Sequence, residues 1–206
     1  MSENNIKMLF LDIGGVLLSN GWGYEFRKQA VKKFHLDKEE MEERHSILFI
    51  TFEEGRITLD EYLARVIFYK KRDFTFNDFR DFMFSLTTAK EDMIALIKKL
   101  KVQYGLKIIA VSNEARELNA YRINTFKLNS FIDFFVSSCY VHIRKPDAEI
   151  FKMALDMAQV KANEIVYIDD VQMFVDIAAD VGIKSICHKD YQATAKTLAE
   201  FGLIIR

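Results

Sequence analysis

Ile6-Lys-Met-Leu-Phe-Leu-Asp-Ile-Gly-Gly15 is an apolar run that ends in an acid, Asp12, and passes into a glycine pair, Gly14-Gly15. That is the pattern of a buried strand opening into a tight loop. A lone strand cannot satisfy its backbone, so this one must join a sheet supplied by the rest of the chain. The partners come late. From about Lys90 the spacing predicts helix to Gln103, strand Lys107–Val111, helix Ala115–Leu128, strand Phe134–Ser137, helix Ala148–Ala158 and strand Ile165–Ile168. A helix around Met173–Val181, a strand at Lys184–Cys187 and a last helix from about Ala193 complete the series. Strands alternating with helices of this length predict an α/β, three-layer sandwich around a parallel sheet.

Between the first strand and this series, residues 17–87 change to helical spacing, with Tyr24–Phe34, Lys38–Phe52 and Leu59–Tyr69 each apolar every three or four positions. Thr58 followed by Glu61 reads as a capping box at the third. Fourteen of the 27 aromatic residues fall in this segment, a density that predicts a small hydrophobic core of its own, with rings near Trp22–Phe26 placed to roof a pocket. The chain therefore divides into a discontinuous core, 1–16 and 88–206, and an all-helical insert, 17–87.

At 206 residues, 50% apolar and 29% charged, the composition is that of a soluble globular protein. A net charge of −1 supplies no basic field, which excludes nucleic acid and anionic membrane from the expected partners. Cys139 and Cys187 form neither a disulfide framework nor a paired thiolate site, so a reducing, cytoplasmic setting is expected. Met1–Lys7 has no long apolar stretch, and Asp12 with the glycine pair breaks the run Met8–Leu18, so neither a signal peptide nor a membrane span is expected. Gly21-Trp-Gly23 follows no strand and has Phe26 at its third glycine position, and there is no Gly-Lys-Ser/Thr loop. His35, His45, His142 and His188 lack metal-ligand spacing and read as surface or hydrogen-bonded residues. Lys70-Lys-Arg72 reads as a helix end, where cations suit the dipole.

Ligands of an open parallel sheet sit beyond the carboxyl ends of its strands. The first strand ends in Asp12, the second in Ser112-Asn113 and the fourth in Asp169-Asp170, and Lys145 precedes the single proline, Pro146. A carboxylate that can attack, a hydroxyl, a cation and two adjacent acids on one sheet edge suit phosphoryl transfer, the acids holding Mg²⁺. Two neighbouring acids after an apolar strand also repel unless a cation or hydrogen-bond donors hold them.

These residues resemble the four motifs of the haloacid dehalogenase superfamily of aspartate-nucleophile hydrolases: Leu11-Asp-Ile-Gly-Gly-Val-Leu17, Val111-Ser-Asn113, Arg144-Lys-Pro-Asp147 and Ile168-Asp-Asp170. The insert is similar to the small helical cap of that family, and Glu53-Glu-Gly-Arg-Ile-Thr-Leu-Asp-Glu-Tyr62 to the cap turn of its sugar-phosphatase-like branches. The resemblance implies a Rossmann-like parallel sheet and Mg²⁺-dependent hydrolysis of a small phosphomonoester, such as a sugar phosphate, through an aspartyl-phosphate on Asp12. It implies that Ser112 bonds a phosphoryl oxygen and that Lys145 neutralises developing charge. Asn113, Ser112 and Gly15 become candidate substrate contacts. Asp12, Gly14 through its carbonyl, Asp170 and, directly or through water, Asp169 become candidate metal ligands. Oligomeric state is not legible.

Two positions depart from the family pattern. Gly14 stands where a second Asp protonates the leaving group, help worth about 10²–10⁴-fold. Phe174 stands where a polar residue usually follows Asp170 by four, which removes a polar neighbour from the metal's surroundings. Two further readings use the same residues. One is a catalytically impaired member that binds a phosphorylated ligand or partner; the other is a haloacid dehalogenase, which would have little use for Asp169-Asp170. Tyr24, Arg27 and Glu54 lie near the site loops in sequence, but the sequence does not assign them roles. Arg144 reads equally as an anion contact or as a solvated residue.

Overall fold

The computed structural model describes residues 5–205, so residues 1–4 and 206 of the expected core, including the start of the segment read for a signal peptide, lie outside the described residues. The strands are β1 (Met8–Leu11), β2 (Lys107–Ser112), β3 (Phe134–Ser137), β4 (Ile165–Asp169) and β5 (Lys184–Cys187). They form one sheet in the order β3-β2-β1-β4-β5, every neighbouring pair parallel. The helices are α1 (Tyr24–Lys33), α2 (Lys38–Glu53), α3 (Leu59–Val66), α4 (Phe76–Ser85), α5 (Glu91–Tyr104), α6 (Arg116–Thr125), α7 (Ser138–Val141), α8 (Glu149–Ala158), α9 (Gln172–Asp180) and α10 (Tyr191–Glu200).

β1 is central, and its alternate residues enter opposite layers. Leu9 and Leu11 join Met93, Ile97 and Leu100 of α5 and Leu198 of α10, while Met8 and Phe10 join Ile150, Phe151 and Ala154 of α8 and Ala178 of α9. Both faces are covered by helices, which is why the strand reads as an unbroken apolar run. The register sets Leu11 beside Ala110 and Ile168, so Asp12 emerges level with the end of β4. The backbone amide of Asp12 donates to the Ile168 carbonyl at 2.9 Å and fixes that emergence.

The segment between β1 and α5 is helical, as expected. Its buried cluster includes Trp22, Met41, Phe52, Tyr62, Leu63 and Phe79, and the Phe34 ring meets Phe74, Phe79 and Phe82 at 4.5, 4.9 and 5.3 Å. Ala115 and Leu118 at the start of α6 belong to the same cluster, so these helices are seated on the element that follows β2. The outgoing and returning chains run side by side: Leu18 pairs antiparallel with Ala89, and the Ser19 amide donates to Thr88 at 2.8 Å.

Some boundaries differ from the sequence reading. α3 ends at Val66 rather than Tyr69, because Arg72 Nε closes the helix end on the Ile67 carbonyl at 2.7 Å. Lys70–Arg72 therefore lies beyond the helix, with Lys70 paired to Glu40 at 3.3 Å. α6 stops at Thr125, and Lys127 in the left-handed region leads into a 3₁₀ turn at Leu128–Ser130. α7 is a single turn continuing directly from β3 at Ser137-Ser138. Among the described residues no helix is long and apolar enough to cross a membrane.

The capping box of α3 is formed: Thr58 Oγ1 accepts from the Glu61 amide at 3.2 Å and Glu61 Oε2 accepts from the Thr58 amide at 2.9 Å. Replacing Thr58 by Ala is expected to cost about 1 kcal/mol. A urea titration should show a lower midpoint at unchanged slope; an unchanged midpoint would show that the cap contributes nothing to global stability.

Candidate active site

The carboxyl ends of β1, β2 and β4 converge on one ammonium group. Lys145 is 1% exposed, and its Nζ lies 3.1 Å from Asp12 Oδ1, 2.6 Å from Asp169 Oδ2 and 3.1 Å from the Tyr167 hydroxyl. Asp169 is fully buried, its Oδ1 accepting from the Val171 amide at 2.8 Å and its Oδ2 accepting from Lys145 and from Tyr167. Asn113 fixes the lysine from behind: its Nδ2 donates to the Lys145 carbonyl at 2.8 Å and its Oδ1 accepts from the Lys145 amide at 2.9 Å. The amide that the sequence offers as a substrate contact thus holds the lysine's backbone. The Ser112 hydroxyl is buried at the end of β2 beside the Asp12 carboxyl, whose pKa it lowers.

The glycine pair divides in role. Gly15 has φ +72°, and a Cβ there would fall 2.1 Å from Asp170 Oδ2, so its lack of a side chain admits the Asp170 carboxylate. Gly14 is outside the left-handed region, and a Cβ would approach nothing nearer than Asn20 at 3.5 Å, an ordinary contact.

Burial raises the Asp12 carboxyl to about 6; Lys145 opposes the rise, while Asp169 and Asp170 add to it. Asp170 is also raised, first by burial and then by Asp169. Burial alone would lower Lys145, but the charges of Asp12 and Asp169 outweigh it and hold the ammonium above its usual range. Asp12, Asp169 and Asp170 each bring an oxygen within 4.8 Å of the others. Three carboxylates against one lysine leave negative charge in a buried place, and an all-oxygen set suits a hard divalent cation such as Mg²⁺. Because both Asp169 oxygens are engaged, Asp12 and Asp170 offer the freer ones.

A cavity of about 440 Å³ opens over these groups. Asp12, Gly14, Asn113, Lys145 and Asp170 line it, whereas Ser112, Gly15 and Asp169 do not. Its other wall holds residues that sequence reasoning left unassigned. His45, Phe49 and Glu53, spaced four apart, form one face of α2, and Trp22, Tyr24, Arg27, Glu114, Arg122 and Arg144 stand around them. That spacing of four was the available signal. Arg144 is not solvated: its Nε and Nη2 pair with Glu53 Oε2 at 3.0 and 2.9 Å. Glu54 instead turns to Arg56 at 2.8 Å. Burial, with Glu114 adding and Arg144 opposing, raises Glu53 to about 7.

The four histidines show no clustering. His45 Nδ1 lies 2.7 Å from the Tyr62 hydroxyl, which accepts from Trp22 Nε1 at 2.9 Å, and burial lowers the ring to about 4, so it is neutral. His142 and His188 contact the Glu54 carbonyl at 2.6 Å and Thr194 at 2.8 Å, and His35 is exposed. Phe174 sets its ring 5.0 Å from Lys145 Nζ, a cation–π contact in place of the expected polar neighbour.

Residues 12–188 match the model of the haloacid dehalogenase-like hydrolases. Over 166 residues the chain is 28% identical to the chloroplastic flavin mononucleotide hydrolase 1 of Arabidopsis thaliana, covering 81% of this chain but only 66% of that protein. The fold is similar to a family enzyme of Bacteroides thetaiotaomicron solved with magnesium and inorganic phosphate (TM-score 0.75, 23% identity, 89% of this chain and 94% of that one). It is also similar to the L-2-haloacid dehalogenase of Xanthobacter autotrophicus with chloropropionic acid covalently bound (TM-score 0.62, 16% identity, 98% and 89%).

The two glycines are expected to respond oppositely to alanine. Gly14→Ala should leave stability unchanged or raise it by about 0.4–1 kcal/mol, and Gly15→Ala should lower it by more than that, since φ is positive and Asp170 must move. Denaturant midpoints of the two variants check this; equal effects would contradict the division of roles.

Proposed function

Because the chain belongs to the haloacid dehalogenase-like hydrolase family, we propose that it hydrolyses a small phosphomonoester with Mg²⁺, through an aspartyl-phosphate on Asp12. The observation behind this reading is the buried Lys145 ammonium shared by Asp12 and Asp169, with Asp170 alongside. Asp12 stands at the floor of the cavity with one oxygen oriented by Lys145, and the other attacks phosphorus. Lys145 offsets the charge that gathers as the Asp12–phosphorus bond forms. The buried Ser112 hydroxyl, beside the Asp12 carboxyl at the end of β2, is a donor for a phosphoryl oxygen. Asn113 serves by holding Lys145. Magnesium, held by Asp12, Asp170 and the Gly14 carbonyl with Asp169 behind them, would supply positive charge against the phosphoryl oxygens.

In this reading residues 17–87 are a cap over a core of 1–16 and 88–206. The side-by-side chains at Leu18–Ala89 support that division, as does a cavity lined from both parts. Trp22, Tyr24, Phe49 and Phe174 give the cavity aromatic walls. Flavin mononucleotide, the ester in the Arabidopsis relative's name, therefore belongs beside sugar phosphates among the substrates to try. Dehalogenation is disfavoured, since Asp169 and Asp170 would repel an anionic haloacid. The intact geometry of Asp12, Lys145 and Asp170 speaks against an impaired member. Both cysteines are free, which agrees with the reducing, cytoplasmic setting we assign.

Phosphate release from a panel of phosphomonoesters, with and without Mg²⁺, tests the proposal in the wild type and in Asp12→Asn. The expected result is metal-dependent turnover that falls to background in the variant, whose side chain keeps nearly the same size. A folded wild type that binds Mg²⁺ and turns over no ester would favour the binding-only reading.

A further inference from the structure

We propose that Glu53 is the acid–base residue of this site, giving its proton to the departing alkoxide and recovering one from water, in the place left by the absence of a carboxyl at Gly14. The inference rests on the phosphatase reading above.

A phosphomonoester of an ordinary alcohol leaves slowly unless its oxygen is protonated as the bond breaks. Few groups on the cavity wall can do this. Asp12 is the nucleophile, Lys145 is held charged between two carboxylates, and Asp170 faces the cation position. Glu114 has Oε1 on the Ala115 amide at 3.1 Å and Oε2 on Arg122 at 2.5 Å, so both oxygens are engaged. His45 is neutral with Nδ1 engaged by Tyr62.

Glu53 remains. Arg144 binds only its Oε2, and among the described residues no donor is assigned to Oε1. The carboxyl lines the same cavity as Asp12, and its backbone is pinned there. Ser138 Oγ donates to the Glu53 carbonyl at 2.6 Å, and Gly55 follows at φ +64° so close to Cys139 that a Cβ would fall 2.4 Å from the Cys139 carbonyl oxygen. The charged and titratable groups facing it are Arg144 and Lys145 from the loop before α8, Glu114 from the loop after β2, and Tyr62 from α3. Burial sets it near 7, so both protonation states are populated at neutral pH.

The steps balance. An Asp12 oxygen bonds to phosphorus as the ester P–O bond breaks, and the Glu53 proton passes to the leaving oxygen, releasing alcohol. Water then bonds to phosphorus as the Asp12–phosphorus bond breaks, its proton passes to Glu53, and inorganic phosphate leaves.

The test compares an alkyl phosphate with 4-nitrophenyl phosphate, whose leaving group departs without a proton, and reads kcat/KM, which ends at alcohol release. In Glu53→Gln, which keeps an acceptor for Arg144, kcat/KM should fall about 100-fold or more for the alkyl ester and change by less than about threefold for the aryl ester. The donor must be protonated, so wild-type kcat/KM on the alkyl ester should decline above pH 7, and the aryl ester should lack this limb. Equal losses on both esters, or no loss on the alkyl ester, would overturn the role of Glu53 while leaving the phosphatase reading in place. A wild type that releases phosphate from neither ester would overturn the reading itself. If Glu53→Gln does not fold, the wild-type profiles decide: a matching alkaline limb on both esters, or none on either, overturns the proposal.

Discussion

The architecture of the site depends on one buried cation. Placing an ammonium where Lys145 sits costs several kcal/mol in lost hydration, and the cost is met only because Asp12 and Asp169 approach it at 3.1 and 2.6 Å. Removing one member of such a set typically costs about 3–5 kcal/mol, because the charge left behind stays buried. Three strands are thereby registered against each other at their carboxyl ends. β1 delivers Asp12, β4 delivers Asp169 and Tyr167, and the end of β2 delivers Asn113, which grips the lysine's backbone on both sides. The same arrangement leaves more negative than positive charge, and Asp12 responds with a carboxyl raised to about 6. A divalent cation held among Asp12, Asp169 and Asp170 would relieve that imbalance and favour the ionised form of Asp12.

The second constraint is where the helical segment meets this edge. Its aromatic cluster packs around Phe34, Tyr62 and Phe79 and extends to Ala115 and Leu118, so the segment is held by apolar contact on one side. Polar contacts hold the other side: Arg122 reaches Glu114 and the Ser19 carbonyl, and Arg144 reaches Glu53. These arginines lie at the cavity wall and tie the two sides together. Phe49 lies under Arg144 at 4.8 Å, which fixes the guanidinium plane as well as its charge.

Legibility in the sequence followed the physics of each element. The strands were readable because both faces of the sheet are covered, leaving continuous apolar runs between helices of ordinary length. The groups at the strand ends, Asp12, Ser112, Asp169 and Asp170, were readable because strand direction alone places them on one edge. Lys145 was legible only as a lysine before the single proline; its burial depends on Asn113, 32 residues earlier in sequence. Asn113 itself illustrates the limit, since its sequence position offers an amide beside the site but not its two bonds to the Lys145 backbone. Glu53 and Glu54 are adjacent and chemically identical in sequence, and only the phase of α2 decides that Glu53 faces the cavity and Glu54 faces Arg56. Helix phase near a terminus is set by packing, here by Gly55 against Cys139, and that packing is a long-range fact.

The glycine pair shows what the loop after β1 admits beside Asp12. Gly15 must be glycine because Asp170 occupies the space of its side chain; Gly14 lies outside the left-handed region and a Cβ there would make only ordinary contacts. An acid in the loop would stay beside Asp12 whatever the helical segment did. In the proposed mechanism the proton carrier lies instead at the end of α2, where Ser138, Arg144 and Cys139 hold it, so the nucleophile and the acid would belong to different parts of the chain. Under that proposal, proton transfer would depend on the contacts that seat the end of α2 as well as on the loop that carries Asp12.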